Sequence, residues 1–275
     1  MKIKHIFILA LMTIPMSSFG QEIALQLYSL RNEMPENPEK YHQMVSSWDI
    51  HALEGGGGYG LSKSEYANLL VKNDLRVIGV GADYNQLTKT IAPIVAEAKK
   101  YGAKYVTCYW IAHPDGPISL DEIKVATALF NEVGKEFQEH GLTFLYHPHG
   151  YEFTPMKKGV VLDYMLENAE NFGFNLDVYW IKMGGGDPLK IMKKHKGKFP
   201  LLHLKDRRIG TADTQDGHGD VEDNVVLGTG DVGIAAIIKE AQKQGTKYLV
   251  IEDESSRSVE QIPLSVAFIK QQLEK

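Results

Sequence analysis

The feature that most constrains this 275-residue chain is an alternation that never breaks. Short apolar runs suited to strands occur at Ile23–Tyr28, Ile50–Leu53, Arg76–Val80 and Tyr105–Trp110. Four more follow at Thr143–His147, Gly173–Asp177, Pro200–Lys205 and Lys247–Ile251. Between them lie stretches with helical spacing, Ser62–Lys72, Leu87–Tyr101, Leu120–His140, Val160–Phe172 and Gly233–Gln244, and Val259–Leu273 closes the chain. Strands separated by helices cannot pair as hairpins, so the sheet they form is parallel. Eight units of roughly 32 residues predict an α/β chain folded as a (β/α)8 TIM barrel. Gly102, Gly141, Gly173 and Gly245 each stand between a helical stretch and the next strand, where a left-handed helix end is expected. No Pro/Ser-rich linker interrupts residues 21–275, which read as one domain.

Residues 1–20 have a different pattern. Lys2 and Lys4 precede the apolar run Ile6–Met12, and small residues end the segment at Ser17-Ser18-Phe19-Gly20. This predicts a cleavable signal peptide and an exported protein, periplasmic or secreted. The run falls short of the ~20 apolar residues that span a bilayer, and no later segment is apolar enough, so no membrane span is expected after processing. The formal charge is −5, and more acidic once Lys2 and Lys4 leave, which argues against a nucleic-acid partner. The single cysteine, Cys108, lies in an apolar run and is expected to be a buried, inert thiol rather than a nucleophile.

In such a barrel, chemistry sits at the carboxyl ends of the strands. The fifth predicted strand runs out through His147, His149 and Glu152, and the sixth ends at Asp177. The seventh ends His203-Leu204-Lys205-Asp206 and the eighth runs into Glu252-Asp253-Glu254. Charged strand ends are costly to bury unless paired or bound to a metal. Glu152, Asp177, His203 and Glu252 therefore form a candidate ligand set of three carboxylates and one imidazole, suited to Mg or Mn, with Co or Zn also open. Taken singly, a strand-end Asp is as readily a helix N-cap and a barrel His a hydrogen-bonded core residue.

The pieces LQLYSLR (25–31), YHPHGYEF (146–153), LDVYW (176–180), GGGDP (184–188), HLKD (203–206), LGTGDVG (227–233) and IED (251–253) resemble the sugar phosphate isomerase/epimerase family, within the xylose isomerase-like TIM barrels. The resemblance implies a divalent metal held by Glu152, Asp177, His203 and Glu252, with Glu152 and Glu252 as the catalytic proton-transfer groups. Deprotonation next to a sugar carbonyl, through a metal-stabilised enediolate, would then isomerise or epimerise a sugar. Loss of a β-substituent would make the same site a lyase or dehydratase acting on keto-sugars or 3-keto-glycosides. His147, His149 and Lys205 are candidate substrate contacts, and Trp180, Tyr28 and Trp110 a candidate apolar wall for a sugar ring. Export favours a free sugar or glycoside over a sugar phosphate, and a homo-oligomer stays open.

A non-catalytic sugar-binding barrel is the reading from another class, but it would leave four charged strand ends without a purpose. The segment Gly228-Thr229-Gly230-Asp231-Val232-Gly233 satisfies the dinucleotide pattern G-x-G-x-x-G. Too little chain follows it to complete a doubly wound sheet, and Asp231 is expected to cap the next helix. The acidic stretch 206–231 is expected to be a solvated loop rather than a second metal site.

Overall fold

The computed structural model describes residues 20–275. The segment expected to be a signal peptide thus lies outside the described residues, apart from Gly20. Seven strands come first: β1 (Glu22–Gln26), β2 (Ala52–Glu54), β3 (Arg76–Ala82), β4 (Tyr105–Cys108), β5 (Thr143–Tyr146), β6 (Gly173–Asp177) and β7 (Leu201–Leu204). Two short strands, β8 (Asp206–Arg207) and β9 (Asn224–Val225), pair antiparallel within the loop after β7, and β10 (Tyr248–Ile251) is the last. All strands except β8 and β9 join in parallel into a closed barrel of order β1-β10-β7-β6-β5-β4-β3-β2. Every predicted strand is present, with β6 at the predicted bounds, β3 two residues longer at Ala82, and the other ends shifted by at most two residues. No helix among the described residues is long and apolar enough to cross a membrane.

The helices form where capping and periodicity agree. Leu120–Glu139 opens on a capping box in which Ser119 and Glu122 exchange side-chain and backbone bonds. It buries Ile123, Ala126, Thr127, Phe130, Val133 and Phe137, a three-and-four spacing that puts them on one face. Phe130 and Phe137 meet Phe144 of β5, and burying each ring contributes on the order of 2–3 kcal/mol. Gly102, Gly141 and Gly245 take the predicted left-handed conformation. Gly173 does not: it starts β6, where a Cβ would stand 3.1 Å from Leu145 and 3.2 Å from the Lys198 carbonyl. Its smallness serves close packing, not a helix end.

Inside the barrel, Ala24, Ala52, Ile78, Leu145, Leu201 and Val250 pack as one apolar layer. Strand side chains alternate faces, so the next inward positions lie two residues on. On β1, β2 and the strand lines of β5, β7 and β10 these are Gln26, Glu54, His147, His203 and Glu252, all buried or nearly so. The barrel floor turns polar in one step.

Candidate metal centre and active site

Four side chains at this level converge. His147, Asp177, His203 and Glu252 each offer a ligand atom, and the four atoms lie within 4.8 Å of one another. Asp177 ends β6, paired in register with His203 on β7, while Val250, two residues before Glu252, pairs with His203 from the other side. Asp177 Oδ1 accepts the Trp180 N–H at 2.9 Å and caps the short helix Val178–Met183. Its Oδ2 is buried without a hydrogen-bond partner, 3.7 Å from His147 Nε2. The N-cap reading and the ligand reading of this aspartate thus apply to different oxygens. His203 Nδ1 stands 3.1 Å from Glu252 Oε2, and Nε2 meets Glu54 Oε2.

The electrostatics follow from this crowding. Burial pushes the Asp177 carboxyl up, against the pull of Lys205. Burial would also raise Glu252, yet Lys205 and His203 hold it well below the usual carboxylate range. Burial opposes charging His203, but Glu54 and Glu252 carry it to about 10. Desolvation outweighs every other influence on His147 and His149 and keeps both neutral, His149 at about 3 although Glu252 pulls it up.

Glu152 does not join this group. Tyr146 donates its hydroxyl to Glu152 Oε1, and the His149 N–H reaches the same carboxylate at 3.1 and 3.2 Å. Tyr146 in turn lies 3.0 Å from the Tyr151 hydroxyl, which accepts the Ile111 N–H. Glu152 follows the end of β5 by six residues and belongs to a short 3-10 turn, so the strand parity that aims His147 inward does not reach it. The fourth member of the converging group is His147, not the expected Glu152. The signal was available: His147 is two residues beyond the inward Leu145, as Glu252 is two beyond Val250.

Above the floor a cavity of about 480 Å³ is lined by Tyr28, Tyr109, Trp110, His147, His149, Trp180, Glu252 and Glu254. The expected sugar-contact residues therefore meet here, except Lys205. The Lys205 ammonium is buried against Glu254, 3.9 Å from Glu252 and over the Trp180 ring, and its two glutamates hold it charged. The cavity roof is Gly217, His218, Gly219 and Val221, from the acidic loop. That loop is solvent-exposed over much of its length, as expected, and is also tied down at both ends. Arg207 pairs with Asp213 at 2.7 Å and with Asp231 at 2.9 Å, and Glu222 pairs with Arg257.

The G-x-G-x-x-G segment is occupied from within. Asp206 accepts the N–H groups of Gly228 (2.9 Å), Gly230 (3.0 Å) and Val232 (3.1 Å). A Cβ on Gly230 would lie 2.4 Å from Asp206 Oδ1, which explains the glycine without a nucleotide. Asp231 is not the helix cap: Gly233 precedes Ile234–Gln244, and Asp231 is held by Arg207. Cys108 is buried and burial pushes its thiol up to about 12, as an inert core cysteine requires.

Solved structures share this architecture. A sugar phosphate isomerase/epimerase from Parabacteroides distasonis is 22% identical, covering 95% of this chain and 97% of that one, with a TM-score of 0.71. A probable 3-DHS dehydratase involved in petrobactin synthesis from Bacillus anthracis is 15% identical, covering 91% and 99%, with a TM-score of 0.69. The IOLI protein, with a zinc atom, is 13% identical, covering 92% and 96%, with a TM-score of 0.69. At these identities the likeness is one of fold. No curated protein matches by sequence. The model of one family matches residues 65–272, most of the barrel including all four converging side chains. By that match the chain belongs to the xylose isomerase-like TIM barrel family.

Proposed function

We propose that this protein is a divalent-metal-dependent sugar isomerase or epimerase that moves a proton next to a carbonyl. The observation that carries the reading is the convergence of His147, Asp177, His203 and Glu252, with Asp177 Oδ2 buried and unpartnered among them. Two imidazoles and two carboxylates suit Mn, Co or Zn, and Mg less well. When bound, the ion would polarise the substrate carbonyl and its neighbouring hydroxyl. Glu252, in the cavity wall and held ionised, takes the proton from the adjacent carbon. Glu252 then gives the proton back to the sugar, and His149, neutral, with Nδ1 unpartnered and its ring in the same wall, is placed to hydrogen-bond a substrate hydroxyl. Lys205 keeps Glu252 charged, and Trp110, Trp180 and Tyr28 exclude water from one face of the sugar.

The substrate is a neutral sugar or glycoside. The cavity lining carries Glu252 and Glu254 but no lysine or arginine, and the amide nest that a phosphate would use is filled by Asp206. The exported location proposed from residues 1–20 points the same way. A lyase acting on keto-sugars is the second reading, supported by the dehydratase among the structures of like fold. Metal content of protein purified without chelator tests the metal. Incubation of the manganese-loaded protein with free ketohexoses and 3-keto-glycosides in deuterium oxide tests the chemistry. Deuterium at the carbon next to the carbonyl with the skeleton intact supports the isomerase/epimerase, elimination supports the lyase, and neither leaves a sugar-binding barrel.

A further inference from the structure

We infer that Glu54, which is not one of the four converging residues, is a positioning residue that fixes the tautomer of His203 so that Nδ1 faces the cation. The inference rests on the metal reading above. Glu54 ends β2 on the opposite wall of the barrel and is fully buried. Its Oε1 accepts from Thr107 Oγ1 at 3.0 Å and from Asn175 Nδ2 at 2.7 Å. Its Oε2 faces His203 Nε2 and also takes a longer bond from Gln26 Nε2 at 3.4 Å.

Two donors pin one oxygen, so the other is the one left for the imidazole. A carboxylate only accepts, and His203 satisfies it only when Nε2 carries the hydrogen. A cation on the side where Glu252 and the other two ligand groups gather would take the place of any hydrogen on Nδ1 and meet its lone pair. Metal-bound histidines commonly hand their second N–H to a carboxylate in this way, which fixes ring orientation and raises ligand basicity. The barrel makes room for the arrangement. The β2–β3 register shifts between Leu53 and Glu54, and the residue opposite Glu54 is Gly79, where a Cβ would press on Glu54 Cγ at 3.4 Å.

Glu54→Gln keeps the shape and reverses the hydrogen bonding. Thr107 and Asn175 hold the amide oxygen in the place of Oε1, so the amide NH2 turns to His203. The imidazole then accepts at Nε2 and carries its hydrogen on Nδ1, pointing at the cation position. The test is zinc titration of the full barrel by calorimetry, with nitrogen-15 spectra of the histidine rings in the wild type and in Glu54→Gln. The expected result is zinc on His203 Nδ1 with Nε2–H retained in the wild type. Glu54→Gln should bind zinc roughly 10–100-fold more weakly and show the Nδ1–H tautomer without metal. Zinc on Nε2 in the wild type overturns the inference without any variant being needed. So does a folded Glu54→Gln that keeps wild-type affinity and tautomer. A wild type that binds no zinc, manganese or cobalt overturns the metal reading and this inference with it.

Discussion

The floor and the roof of the cavity are built by different means. On the floor, His147, Asp177, His203 and Glu252 are carried by or just beyond parallel strands whose register fixes their height. The roof, Gly217 to Val221, hangs from one loop tied down at scattered points. Thr214 N donates to the Met183 carbonyl at 2.8 Å, Arg207 grips Asp213 and Asp231, and Glu222 takes the Ser256 N–H at 2.8 Å. A floor group cannot move without disturbing the sheet, which suits groups that must meet one ion to within a fraction of an ångström. A roof group can be exchanged by changing a loop, which suits groups that select a substrate. Floor substitutions should therefore alter metal binding, and roof substitutions should alter stability or substrate affinity while leaving the metal alone.

The largest expected effect is on the floor. Asp177→Asn keeps the cap on Trp180 through its amide oxygen and replaces the unpartnered Oδ2 with a donor. Zinc or manganese affinity should fall by more than the ~10–100-fold that loss of a supporting residue costs. Unfolding free energy in chelator should stay within about 1 kcal/mol of wild type. Calorimetric titration and urea denaturation separate the two quantities. An unchanged affinity would mean that the four side chains are not the centre.

The roof's counterpart is Asp206. Its carboxylate serves four backbone N–H groups, those of Arg207, Gly228, Gly230 and Val232. Asp206→Ala leaves several buried donors without an acceptor, each costing ~1–3 kcal/mol. A loss of about 4 kcal/mol in urea denaturation is expected, with metal affinity held within threefold. If metal binding collapses as well, floor and roof are one cooperative unit and the separation is wrong.

How much of this was legible follows from the same division. The barrel could be read because the period of the pattern and the helix caps are local, and Ser119 with Glu122 or Gly102 reports its own neighbourhood. Asp177, His203 and Glu252 could be read because they end or closely follow apolar strands. His147 reads as a substrate contact, yet its parity with the inward Leu145 is what aims it at the converging group, a parity that Glu152, in the turn beyond the strand, does not share. Glu54 was visible only as a strand end before four glycines. Its partners lie 53, 121 and 149 residues away, and no local pattern encodes them. The roof was hidden for the same reason, since Asp206 looks like any loop aspartate until Gly228–Val232 folds around it.

Glu152 sharpens the comparison, being a carboxylate beside the floor that does the work of a strut. Burial raises it from 4.5 to about 7, against the bond from Tyr146. The unfolded chain therefore releases this proton first, and folding loses on the order of 3 kcal/mol as pH climbs from about 4.5 to about 7. The loss is complete above that range. Glu152→Gln should remove this slope in chemical denaturation measured at pH 4.5 and pH 8, and zinc affinity should change by less than about threefold. A large drop in affinity would restore Glu152 to the ligand set.

The smallest effect is expected at the tip of the roof. His218 is solvent-exposed, lines the cavity, and holds its ring 5.7 Å from that of Trp110 at 32°. None of the loop's anchors passes through its side chain: its backbone N–H meets Asp216, and the ties to Arg207, Met183 and Arg257 come from other residues. His218→Ala should thus shift stability by no more than about 0.5 kcal/mol. An aromatic contact of the kind it makes contributes on the order of 1 kcal/mol. Once a turned-over sugar is in hand, the variant should raise its KM about fivefold and leave kcat nearly unchanged, the mark of a group that binds ground and transition states alike. A fall in kcat at constant KM would place His218 in the chemistry, and the roof would then do more than choose the substrate.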